Sequence, residues 1–195
     1  MAWSDVYERC VEEIAAVAGD LGPDDLGRRV LATPEWTVHQ LLAHLAGGAR
    51  DVVTGRMDDA PQPAWTARHV AERADTSAAG LLTELQAQVA LLTPMLQDNP
   101  RPAIVWDIAV HLADLHETLG LGIAPSATWE PVLDAVLPPG AREDLGLEDA
   151  VPDYELFRGR FSRRSRAQLR SWGLPGTAIE TFGVFGVRED DQPVP

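Results

Sequence analysis

Apolar residues recur at helical spacing in four stretches between Ser4 and Leu119, and glycine or proline closes each of them. The first stretch begins behind Ser4 and runs to about Ala18, with Val6, Cys10, Ile14 and Val17 in one stripe. The second carries Val38, Leu41, Leu42, Leu45, Ala49 and Val52 on one face, and Thr37 followed by Gln40 three residues later is a capping-box pattern. The third falls into two pieces, a short helix over about 66–74 and a long one from Ser77 to about Leu96, ended by "QDNPRP". The fourth runs from Ala103 to Leu119. Long amphipathic helices joined by short links predict an all-α chain built on a four-helix bundle over residues 1–120. A Pro/Gly-rich connection follows over 121–152, with a short helix at 130–137. Residues 153–195 then form an irregular C-terminal appendage: an Arg-rich helix, a short strand over 178–187 and a frayed tail.

The charge narrows the function classes. A net charge of −14 opposes binding to nucleic acid or to an anionic membrane surface. No apolar run approaches the roughly 18 residues of a membrane span, and no leader pattern opens the sequence. Cys10 is the only cysteine and lies in the inward stripe of the first helix, so it reads as a buried core residue without a disulfide. A cytoplasmic location is expected.

The fourth stretch, "VWDIAVHLADLHETLG", carries the chemistry. At about 100° per residue, Ile104, Ile108, Leu112, Leu115 and Leu119 fall within about 80°. His111 sits at the edge of that stripe, and Asp107 and Asp114 lie just beside it. Residues at i and i+4 are neighbours, so Asp107 and His111 can address one point. His44 flanks the apolar stripe of the second helix. If these helices are neighbours, His44, Asp107 and His111 give two nitrogens and a carboxylate, a ligand set for zinc or another divalent ion with an open position. The competing reading is a hydrogen-bonded core histidine with Asp107 as its partner. His69 and His116 fall in weak context and are expected at the surface.

Six arginines crowd residues 158–170, and they are all cationic side chains of one kind, since the chain has no lysine. Two readings stand. One is a solvated helix face; the other folds Arg163 and Arg164 over the bundle mouth to clamp an anionic ligand.

The segment "PEWTVHQLLAHLAGGARDVV" and the later Asp-x-x-x-His-x-x-Asp-Leu helix resemble the mycothiol-dependent maleylpyruvate isomerase family, within the DinB-like metalloproteins. The resemblance covers about residues 1–120 and rests on Trp36, Thr37, Val38, His44, Asp107, His111, Asp114 and Leu115. It implies a DinB-like four-helix bundle with a divalent metal, zinc foremost, on His44, Asp107 and His111. It also implies mycothiol as a thiol cofactor that adds as thiolate to an activated substrate, giving an isomerase or, where the adduct is kept, an S-transferase. Asp114 is then the acid that supports a ligating histidine. The partners implied are a small thiol and a small electrophile, with a homodimer as a candidate assembly. A non-catalytic metal-binding or protein-interaction bundle is the alternative. Two departures stand out: Asp107 replaces the family's usual glutamate, and the C-terminal part is shorter than the α/β domain of the characterised isomerase.

Overall fold

A computed structural model describes residues 2–97, 99–100, 102–137, 140–147 and 151–195. The helices among them are α1 (Trp3–Ala18), α2 (Pro23–Leu26), α3 (Val38–Thr54), α4 (Pro63–Glu72), α5 (Ala78–Leu96) and α6 (Ala103–Leu119). They continue with α7 (Ser126–Val136), α8 (Ala141–Asp144), α9 (Asp153–Arg160), α10 (Arg166–Ser171) and α11 (Gly176–Phe182). The fold is an all-α bundle.

The local signals set the helix ends. At the start of α3, the Thr37 hydroxyl accepts from the Gln40 backbone N–H at 3.2 Å and the Gln40 side-chain Oε1 accepts from the Thr37 backbone N–H at 2.8 Å. Two otherwise orphaned donors are satisfied together. Ser77 caps α5 in the same manner, accepting from the Gly80 N–H at 3.2 Å. Helices α3 and α6 both end on glycine in the left-handed region, Gly55 and Gly120, each at φ 72°.

Helices α1, α3, α5 and α6 form the bundle. α1 packs on α5 and α6, and α3 packs on the same two. The core between them is Cys10 and Ile14 of α1, Leu41 and Leu42 of α3, Leu81 and Leu85 of α5, and Ile108 and Leu112 of α6, all essentially inaccessible. Each such Leu or Ile contributes about 1.5–3 kcal/mol by leaving water. α4 lies across α3. α7 packs on α1 and α6, and α9 packs on α7, so Trp129, Val132 and Phe157 join the same apolar core. Burial pushes the Cys10 thiol above its ordinary value, in keeping with a core role. No helix of the described residues is long and apolar enough to cross a membrane.

Two expectations are corrected in the C-terminal part. The strand expected over 178–187 is absent, and no strand occurs among the described residues, only isolated bridges such as Ser165 with Arg188. Residues 176–182 are helical instead, because Ile179 and Phe182, three apart, both reach the core. Beyond them the Ser162 hydroxyl donates to the Gly186 carbonyl and accepts from the Phe185 N–H, which fixes a turn. The Arg-rich helix is likewise broken in two. Ser162 takes φ 59° between α9 and α10, and Ser165 with Gln168 opens α10 with a new capping box.

Candidate metal centre

Three side chains converge where α3 crosses α6. His44 Nε2 lies 3.3 Å from Asp107 Oδ2, and His111 Nε2 lies 3.6 Å from Asp107 Oδ1. One donor atom from each of the three residues falls within 4.8 Å of the other two. His44 and His111 are buried, while the Asp107 side chain keeps 32% exposure at the open side. The ring of Trp36 packs against both imidazoles, with centroids 4.9 Å from His44 and 5.8 Å from His111.

The remaining nitrogens of both rings are bound from behind. His111 Nδ1 lies 3.0 Å from Asp114 Oδ2. Asp114 is fully buried and accepts from Arg158 Nη2 at 2.6 Å and from Arg163 Nε and Nη2 at 3.2 and 2.9 Å. Burial alone would raise the Asp114 carboxyl, but Arg163 and Arg158 outweigh it and hold it well below the usual range. A charged Asp114 requires the proton of His111 on Nδ1, which leaves the Nε2 lone pair pointing at the site.

His44 is set by a longer relay. Its Nδ1 lies 3.2 Å from His69 Nδ1, and His69 Nε2 lies 2.9 Å from Asp51 Oδ2. Burial would raise Asp51, but the His69 hydrogen bond and Arg68, at 2.7 Å, keep it low. Burial lowers His69 and keeps its ring neutral despite Asp51. The charged Asp51 takes the single His69 proton at Nε2, so His69 Nδ1 is an acceptor. His44 must then donate from Nδ1 and present its own Nε2 lone pair to Asp107.

Both imidazoles therefore aim lone pairs at a carboxylate. Three acceptors facing one another without a donor between them suit a cation. Metal–ligand bonds of about 2.0–2.1 Å at tetrahedral angles set ligand atoms about 3.3 Å apart, close to the 3.3 and 3.6 Å between the imidazole nitrogens and the Asp107 oxygens. The donor set fits a divalent ion, and a cavity opens beside it.

That cavity, of about 610 Å³, opens beside the three side chains and is walled largely by Trp36, Trp65, Trp106, Val110, Phe161 and Phe185. Arg163 reaches the wall; Arg164 does not. Arg164 is buried in a pair with Glu155, at 2.6 and 2.7 Å, and also meets Glu117 at 3.2 Å. Arg158, Arg163 and Arg164 are thus buried, which corrects the expectation of a solvated arginine face; Arg170 is exposed.

The surface placement expected for His69 and His116 is also corrected. His116 is buried and pairs with Glu13 at 3.2 Å, away from the site. His69 has no exposure at all. It is admitted by Gly47, where a Cβ would stand 2.6 Å from the His69 Cβ. The pair Gly47–Gly48 inside α3 was the available signal, because glycine in a helix interior costs about 1 kcal/mol and marks a close approach.

An all-helical bundle whose neighbouring core helices present two histidines and a carboxylate defines a candidate metalloprotein. The model of the mycothiol maleylpyruvate isomerase N-terminal domain matches residues 7–116, from within α1 to the last turn of α6, and the chain belongs to that family. No curated protein and no solved structure matches it.

Proposed function

We propose that this protein is a metal-dependent enzyme that uses a small thiol, mycothiol by its family, on a small electrophile, as an isomerase or an S-transferase. The observation that carries the proposal is the set of lone pairs of His44, Asp107 and His111 meeting at the foot of a cavity. These three residues hold the ion, and imidazole with carboxylate favours zinc. A divalent ion in such a site supplies a Lewis acid that keeps a bound thiol deprotonated at neutral pH. The protein's own residues do the rest. Asp114 and His69 fix the tautomers of His111 and His44, so that neither ring has to lose a proton or turn before binding. Arg158 and Arg163 hold Asp114 charged in the protein interior. Trp36, Trp65 and Phe161 exclude water from the side on which a thiolate would react, which strengthens its interactions there. A lone buried cysteine and a small-thiol cofactor both suit the cytoplasm.

Cobalt-substituted protein tests the reading. Mycothiol should produce a thiolate-to-metal charge-transfer band, and His111→Ala should abolish it. Loaded protein without such a band is instead a non-catalytic metal-binding bundle. Protein that takes up no metal refutes the proposal outright.

A further inference from the structure

The second substrate of this site has a chemical class of its own. Arg163 is the one cation among the described residues of the cavity wall, and its guanidinium is already engaged. Nε and Nη2 donate to Asp114, and Nη1 donates to the Phe161 carbonyl at 2.9 Å. Asp107 contributes a negative charge. With a divalent ion on Asp107 and one thiolate, the foot of the cavity would carry no net charge, and a carboxylate entering it would meet no free cationic side chain among the described residues of the wall. An ionised carboxylate taken out of water unpaired is strongly disfavoured.

The walls and the entrance favour the opposite chemistry. Indole and phenyl rings from Trp36, Trp65, Trp106 and Phe161 surround the space beside the histidines. Among the wall residues, Met57, Val184 and Phe185 are also exposed, at 42%, 47% and 68%, so the rim itself is apolar. A volume of about 610 Å³ lies within the about 300–1,000 Å³ of small-molecule sites. We infer that the electrophile taken by this cavity is uncharged and largely apolar, an ester, enone or aryl compound, and not a carboxylate dianion. The inference rests on the function proposed above for the chemistry at the ion, and on the cavity wall alone for the selection.

Diethyl maleate and maleate share a carbon skeleton and differ in charge, so they isolate the effect. Their Kd values are to be measured by calorimetry on zinc-loaded and on metal-stripped full-length protein, with zinc content determined in the same samples. The diester should bind at least tenfold more tightly in both forms, and maleate binding equally well or better overturns the inference. Phe185→Arg places a free cation at the rim and should narrow the gap at least threefold. A gap left unchanged overturns the claim that the missing cation sets it. Zinc-loaded protein that prefers maleate refutes this inference alone. Protein that binds no zinc but keeps the diester preference refutes the proposed function and leaves the selection standing.

Discussion

His69→Leu is the sharpest perturbation of the candidate metal centre, because His69 touches neither the cavity nor the three converging donor atoms. Leucine fills a similar volume, so loss of packing is a minor effect. Two hydrogen bonds disappear. His44 Nδ1–H loses its acceptor at 3.2 Å in surroundings that leave His44 2% exposed. Asp51 loses His69 but keeps Arg68 at 2.7 Å. One buried donor left without a partner costs about 1–3 kcal/mol, and the smaller loss at Asp51 adds within that range. In a chain of this size each kcal/mol moves Tm by about 2–4 °C. The effect on metal is separate. Without an acceptor at Nδ1, His44 can carry its proton on Nε2, where it blocks the ion, and the ring can turn. Losing such a supporting partner costs about 10–100-fold in metal affinity, or about 1.4–2.7 kcal/mol. His69→Gln provides an amide oxygen for His44 and an amide N–H for Asp51, and should recover part of both losses. Zinc competition against a colorimetric chelator and melting of the stripped protein read the two effects independently. A leucine variant that melts earlier yet binds zinc like the wild type would refute the tautomer argument and leave His69 a packing residue.

Asp107→Glu should retain or tighten zinc binding, since the longer arm reaches the ion more easily, while Asp107→Ala should weaken it by tenfold or more; equal affinities in all three proteins would remove Asp107 from the ion. Asp114 makes an acid-stability prediction with a definite sign. Its carboxyl is held well below the usual value in the folded chain, so its stabilisation is complete above the unfolded value of about 3.9 and is lost as pH falls below it. Asp114→Asn should therefore flatten the fall of Tm below about pH 4, besides costing about 3–5 kcal/mol at pH 7 from uncovered arginines; an unchanged acid profile in thermal melts would contradict this.

The four bundle helices were legible because apolar spacing and breaks agreed at each of them, and caps at α3 and α5; α1 begins at Trp3, so Ser4, expected just before it, lies inside the helix. Thr37 with Gln40, and Ser77, act at the ends of α3 and α5 as their residue types suggest. The convergence of His44, Asp107 and His111 was legible for the same reason, since a helical wheel fixes which residues border the core. The support behind His44 was not. α4 has ten residues, and Trp65, four residues before His69, is the one residue within it that marks the buried face. The other signal sits in another helix, at Gly47, as an absence of side chain. The expected strand over 178–187 failed for a related reason. Ile179 and Phe182, three apart, share a face in a helix and not in a strand, but one pair in so short a run is a weak signal, and contacts with the rest of the fold decided in favour of a helix.

The arginine cluster reads differently once the two halves of the chain are set together. Taken alone, the arginines of residues 158–170 look like a solvated face, and Asp114 and Glu117 on the core edge of α6 look like misplaced acids. Asp114 and Glu117 have no arginine on their own helix. Folded, Arg158 donates to Asp114, to Glu117 and to the Val110 carbonyl, and Tyr154 also donates to Glu117. Arg164 bridges Glu117 and Glu155, and Arg163 completes Asp114. A buried ion network of this kind offsets its desolvation only when every member is paired, and removing one leaves a charge in the interior. The network reaches His111 through Asp114. The acids that seemed out of place on an apolar helix are therefore the means by which α9 and the turn after it hold one imidazole of the candidate metal centre in register.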